Sequence, residues 1–138
     1  MVTIDGGPWQ DNPTVGTRFN SGTLRHYNGA TLMTTGQLRL PNRRHCETFD
    51  FQAQGLRFTC SVGRYDDGSL AEVFLTNGKA GSMAGINAQD AAVVCSLALQ
   101  FGVSLNAIRH ALMRDSSGRA SGPLAAALDI IAELEAGR

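Results

Sequence analysis

The sequence predicts an α+β domain, in which a three-stranded antiparallel β-meander packs on a long buried helix and two shorter helices follow. Three observations carry this expectation. Apolar and polar residues alternate with period two between about 49 and 75. A stretch from Ser82 to Phe101 is rich in helix formers and apolar around most of its circumference. Two further apolar stretches at helical spacing follow, each introduced by a residue suited to a helix start.

The first strand is read from Phe49 and Phe51, which alternate with Thr48 and Asp50 and lead to a turn at Gln54-Gly55. Phe58, Cys60 and Val62, alternating with Thr59 and Ser61, mark the second. Tyr65-Asp66-Asp67-Gly68-Ser69 is a turn, with Gly68 suited to positive φ. The third strand runs through Glu72, Val73, Phe74 and Leu75. One face of such a sheet is apolar and needs a cover.

That cover is the segment bearing Met83, Ile86, Val93, Val94, Leu97, Leu99 and Phe101. Apolar on nearly every side, it is expected to be buried on several sides, against the sheet and against other helices or a second subunit. Gly102 is placed for a left-handed C-terminal cap. Ser104 caps a short helix through Leu105, Ile108, Leu112 and Met113. Pro123 opens the last helix, through Leu128, Ile131 and Leu134, and Gly137 stops it.

Residues 1–42 read differently, as an irregular N-terminal arm preceding an α+β domain over residues 43–138. The arm has three of the four prolines, six glycines and no sustained period. It nevertheless carries Trp9, Phe19 and Tyr27, large aromatics that suit docking on the same domain or on a neighbouring subunit.

Composition narrows the function classes. The chain has 138 residues, 12 basic and 12 acidic side chains and 43% hydrophobic content, which suits one domain with a core. The neutral balance argues against a disordered chain or a specific DNA or RNA binder. No apolar run approaches 18 residues, and the first residues lack the layout of a secretion signal, so a soluble cytoplasmic protein without membrane contact is expected. Cys46, Cys60 and Cys95 are far apart and, like His26, His45 and His110, lack zinc-ligand spacing, so no metal and no cofactor is expected.

Two segments suit an anionic ligand. Asn77-Gly78-Lys79-Ala80-Gly81-Ser82 joins a strand to the long helix, where small residues and a helix start let N–H groups face an anion. Lys79 is the only lysine, and it precedes the second glycine, so the segment is not a phosphate loop of the Gly-x-x-x-x-Gly-Lys-Ser/Thr kind. The same residues equally suit a tight connection with Ser82 as N-cap. The second segment, Arg114 to Gly122, offers Arg114 and Arg119 as a phosphate clamp beside a helix start, or else a solvated loop. Catalytic constellations are poor, since no pair of acids has convergent spacing and no Gly-x-Ser-x-Gly elbow is present. Asp90, within the apolar helix, would need a partner if buried, with Arg109 or His110 as candidates.

From about Leu40 to Met113 the chain resembles the TSCPD domain, found at the C-terminal end of adenosylcobalamin-dependent (class II) ribonucleotide reductases and in some small stand-alone proteins. The resemblance runs through Leu40-Pro41-Asn42-Arg43-Arg44, Val62-Gly63-Arg64-Tyr65-Asp66-Asp67-Gly68 and Glu72-Val73-Phe74-Leu75. It continues through Lys79-Ala80-Gly81-Ser82 to Ser96-Leu97-Ala98-Leu99-Gln100-Phe101-Gly102-Val103. It implies an auxiliary module associated with nucleotide metabolism, without reductase chemistry, and the Thr-Ser-Cys-Pro-Asp string of the family name is absent. The expected function is a non-catalytic, homo-oligomeric binding or regulatory module for a nucleotide or nucleotide-derived signal. Asn77, Gly78, Lys79, Gly81, Ser82, Arg114 and Arg119 would hold the ligand. The alternatives are an accessory module docking on a reductase or another large enzyme, and a small phosphodiester hydrolase.

Overall fold

The computed structural model describes Leu24–Tyr27, Ala30–Met33 and residues 36–138. The chain divides into two compact units, residues 1–38 and 39–138. In the first, β1 (Leu24–Tyr27) and β2 (Ala30–Met33) pair antiparallel, from Leu24 opposite Met33 to Tyr27 opposite Ala30. These eight residues are paired strands within the segment expected to be an irregular arm. Asn28-Gly29, the dipeptide between the strands, is the strongest short hairpin signal, and its neighbours alternate too briefly to register as a strand period. Trp9 and Phe19, and the side chain of Tyr27, lie outside the described residues.

The second unit holds the meander. β3 (Cys46–Ala53), β4 (Leu56–Arg64) and β5 (Leu70–Asn77) form a three-stranded antiparallel sheet in the order β3-β4-β5. The strands are longer than the alternation alone indicated. Cross-strand rows explain the patterning. Phe49, Cys60 and Leu75 share a row, as do Glu47, Val62 and Val73, and all but Glu47, which pairs with Arg64 and Arg138, join the core. The neighbouring rows, Thr48-Ser61-Phe74 and Asp50-Thr59-Thr76, point away from it. That outer face is held by polar contacts: Thr59 Oγ1 donates to Asp50 at 2.6 Å, Arg57 donates to the same carboxylate at 2.6 Å, and the Thr48 and Ser61 hydroxyls meet at 3.1 Å.

The turns follow the local chemistry. Gln54 and Gly55, both at positive φ (51° and 74°), connect β3 to β4 as a tight two-residue hairpin. Gly68 (φ 86°) closes the turn before β5, where the Gly68 N–H donates to Tyr65 C=O at 2.9 Å.

Helix α1 (Met83–Gln100) lies along β5, α2 (Leu105–Ala111) is short, and α3 (Pro123–Ala136) completes the cover. Phe51, Phe58, Cys60, Val62, Val73 and Leu75 from the sheet meet Ala88, Ala92, Cys95 and Leu99 of α1 and Leu124, Ala127, Leu128 and Ile131 of α3. α1 ends in a Schellman motif: the Gly102 and Val103 N–H groups donate to the C=O groups of Leu99 and Ala98, both at 3.0 Å. Ser104 caps α2, its hydroxyl accepting from the Ala107 N–H at 3.1 Å, and Pro123 sits at the start of α3.

Within the single chain the long helix is covered on one side. Its buried residues are Gly85, Ala88, Ala92, Cys95, Ser96, Leu99 and Gln100, one face only. Met83, Ile86, Val93, Val94 and Leu97, with Phe101 just beyond the helix, are exposed. Small side chains bring the helix axis close to the sheet, which turns the large ones outward. Asp90 is exposed with them, so it needs no buried partner. Arg109, its expected mate, pairs instead with Asp129 at 2.9 Å.

Two side chains of α1 also close the free edge of β5. Ser96 Oγ accepts from the Val73 N–H at 2.8 Å and donates to the Val73 C=O at 2.9 Å, while Gln100 Nε2 donates to the Ala71 C=O at 3.2 Å. Over Ala71–Val73 the edge is thereby blocked from pairing with another strand. Among the described residues no helix is long and apolar enough to cross a membrane.

Candidate functional site

Four segments distant in sequence converge at one end of the second unit. The β3–β4 turn contributes Gln54, the first half of α1 contributes Ala84, Asn87, Ala88 and Ala91, and the residues after α2 contribute Leu112 and Met113. The start of α3 contributes Gly122 to Ala125. Between them lies a half-open cavity of about 370 Å³, within the usual range of small-molecule sites. It is roomy because α1 presents alanines there, at spacings of three and four. Its wall is apolar apart from the Gln54 and Asn87 amides and the helix start.

The helix start has a definite local cause. Gly122 occupies the N-cap of α3 and provides no side-chain acceptor, so the N–H groups of the first turn lack a side-chain cap. Gln54 Nε2 donates to the Ser121 C=O, tying the β3–β4 turn to this end of α3. Gln54 holds positive φ, a conformation costing roughly 1 kcal/mol or more for a residue with a Cβ.

The sequence-derived ligand residues fall on the two loops that lead to this cavity. In the β5–α1 connection, Asn77, Gly78, Lys79, Gly81 and Ser82 form a self-bonded turn. Asn77 Oδ1 accepts from the Lys79 N–H at 3.2 Å, and Asn77 Nδ2 donates to Ser82 Oγ at 3.2 Å. The Ser82 hydroxyl donates to the Lys79 C=O at 2.9 Å and accepts from the Gly85 N–H at 3.1 Å as N-cap of α1. Gly85 makes this possible, because a Cβ there would stand 2.6 Å from Asn77 Oδ1 and 3.0 Å from Ser82 Oγ. Gly81 supplies positive φ (74°). The Lys79 side chain is exposed and makes no ion pair among the described residues.

The second loop is an ordered turn. Arg114 and Ala120 form an isolated antiparallel bridge, the Asp115 N–H donates to the Arg119 C=O at 2.9 Å, and Gly118 takes φ 83°. Asp115 Oδ1 gathers the Ser117 hydroxyl (2.6 Å), the Ser117 N–H (2.8 Å) and the Arg119 N–H (3.0 Å), and these bonds, the hydroxyl first, hold its carboxyl below the usual range. Arg114 grips Asp129 through both arms, at 2.7 and 2.8 Å. With Arg109 on the other side, this pair pulls the Asp129 carboxyl down to about 2, Arg114 being the larger cause. Arg119 is exposed, its Nε donating to Ser117 Oγ at 3.1 Å. Of the two arginines, Arg114 is thus committed to a structural pair, and Arg119 keeps its terminal nitrogens outward.

The cavity itself escaped the sequence reading. Ala84, Ala88 and Ala91, small residues on one flank of a helix otherwise rich in large apolar ones, were the available signal. Gly122-Pro123, an N-cap without a side chain, was the other. Nothing local tied either to Gln54.

Several titratable groups elsewhere are engaged in the core or in ion pairs. The buried Cys60 and Cys95 thiols are pushed up to about 12 and about 11, chiefly by desolvation, which suits inert core residues. The buried Arg64 guanidinium meets Glu135 at 2.8 Å and Glu47 at 3.9 Å, and Arg44 pairs with Glu72 over Gly63. No group of His, Cys, Asp and Glu able to hold a metal ion occurs among the described residues.

A meander covered on one face by α1 and α3, with α2 packed on α3, defines a small α+β domain with an apolar cavity at one end. The chain belongs to the TSCPD domain family, whose model matches residues 28–134. The match begins ahead of the domain boundary expected at residue 43 and takes in β2. No curated protein and no solved structure matches the chain.

Proposed function

We propose that this chain is a non-catalytic binding and regulatory module for a nucleotide or nucleotide-derived signal. The base would occupy the apolar cavity, and the phosphate would lie toward Lys79 and Arg119. The observation that carries the reading is the cavity lined by Gln54, Asn87, Met113 and the start of α3. Its wall combines apolar side chains with two amides and an uncapped helix start, a combination suited to a planar heterocycle with hydrogen-bonding edges. Amides and alkyl groups orient a ligand but move no protons, so they favour holding over transforming. Lys79 and Arg119 add exposed positive charge on the flanking loops.

The test is a thermal-shift screen of the full chain against linear and cyclic nucleotides, with chromatography of each mixture afterwards. The expected result is a shift with the nucleotide recovered intact, since a ligand at 100 times its Kd adds about 2.7 kcal/mol. Ala91→Phe, which fills the cavity from α1, should abolish the shift, and Lys79→Ala should weaken it at least several-fold while the domain still melts cooperatively. Recovery of a hydrolysed nucleotide would overturn the non-catalytic reading. No shift with any nucleotide would overturn the ligand class and favour docking on a large enzyme.

A further inference from the structure

The outer face of α1 calls for a cover that the described residues do not supply. Met83, Ile86, Val93, Val94, Leu97 and Phe101 are each 42–68% exposed and, with Asp90 set between Ile86 and Val94, follow one side of the helix at spacings of three and four. Together they leave on the order of 500 Å² of apolar surface, the upper range for the largest patch on a monomer. That is also the larger part of the ~800 Å² each partner buries in a stable interface. The only charge in the stripe is Asp90.

The order of these residues says what covers them. Met83, Ile86, Asp90, Val94, Leu97 and Phe101 are arranged almost symmetrically about Ala92. A helix laid antiparallel on its own copy, with a two-fold axis at the level of Ala92, sets Met83 against Phe101 and Asp90 against Val94, with Ile86 within one residue of the position facing Leu97. The stripe is then self-complementary, as an isologous interface requires, and the Asp90 carboxylates are kept apart from one another. An unrelated partner would impose no such symmetry. The outer face of the sheet, with its Thr48, Asp50, Thr59 and Ser61 rows, offers no comparable apolar surface.

We propose that a second copy of this chain covers the outer face of α1, the two helices packing antiparallel about a two-fold axis near Ala92. This rests on the stripe alone and is independent of the nucleotide reading.

Light scattering and sedimentation equilibrium of the full chain test it, with two substitutions at the exposed Val94. The wild type should weigh twice its 14.7 kDa chain mass. Val94→Glu sets like charges across the axis against Asp90, and should weaken the dimer at least ten-fold, leaving a folded monomer. Val94→Lys sets opposite charges there, and should keep the dimer while making it salt-sensitive. Far-UV circular dichroism of both variants should match the wild type, as expected for an exposed position. A monomeric wild type at all concentrations overturns the proposal. So does an oligomer that ignores both substitutions, and so does an equal loss with Glu and Lys, which would exclude the antiparallel register.

Discussion

The two faces of α1 follow opposite rules. Inward, toward the sheet, stand Gly85, Ala88, Ala92, Cys95 and Ser96, all small, with the larger Leu99 and Gln100 only in the last turn. Outward stand Met83, Ile86, Val93, Val94 and Leu97, all large. The difference teaches that side-chain size, and not apolarity alone, decided which face met the sheet. Small residues admit the closest approach of helix to strand, and close approach brings Ser96 and Gln100 within hydrogen-bonding reach of β5.

Breaking the inner face should have the largest effect. Ser96→Ala leaves the buried Val73 N–H and C=O without their partner, at a cost of about 2–4 kcal/mol. A lower denaturation midpoint with an unchanged slope in urea would show it. A loss below about 1 kcal/mol would mean that water replaces the hydroxyl and that the approach is looser than it looks.

An intermediate effect is expected where the outer side of α3 is tied by charge to α2 and the loop after it. The Asp129 carboxyl, held at about 2 against an ordinary 3.8, binds its proton more weakly in the folded chain than in the unfolded one. Its contribution is therefore complete above about pH 5 and is lost as the pH falls through 4 toward 2. That contribution is on the order of 1 kcal/mol once screening by solvent is allowed for. Asp129→Asn should flatten the stability profile in that window, by urea melts at successive pH values, and leave its slope above pH 5 alone.

The smallest effect sharpens the comparison without altering stability. Cys95 on the inner face and Cys60 beneath it are buried, whereas Cys46 at the start of β3 is exposed. One thiol of the three should react with a labelling reagent in the native protein, and the other two only on unfolding. Labelling of Cys95 in the native state would mean that α1 lifts from the sheet.

Much of the fold was legible because it rests on local rules. Alternation along Phe49–Phe51 and Phe58–Val62 marked strands, Gly68 and Gly102 marked turns that need positive φ, and Ser104 and Pro123 marked helix starts. Two features were not legible in the same way. The β1–β2 strands are four residues each, too short for a period to show, although Asn28-Gly29 advertised a hairpin. Which face of α1 meets the sheet was hidden because its large apolar residues outweigh its alanines on any hydrophobicity scale. The candidate site divides similarly. The Lys79 and Arg119 loops are local strings and could be read. Their engagement could not, since Asn77 and Ser82 consume the β5–α1 turn from within, and Asp129 takes Arg114 from 15 positions away.

By itself, then, the order of amino acids determined the elements of this protein, its tight turns and its helix caps, because those depend on backbone sterics and hydrogen bonds within a few residues. Tertiary structure alone decided which face of α1 is buried, where Ser96 lands on β5, and that Gln54, Ala84, Met113 and Gly122 enclose one cavity. Those outcomes depend on distances between segments that no local pattern encodes, and they are resolved only when side-chain volumes compete for the same core.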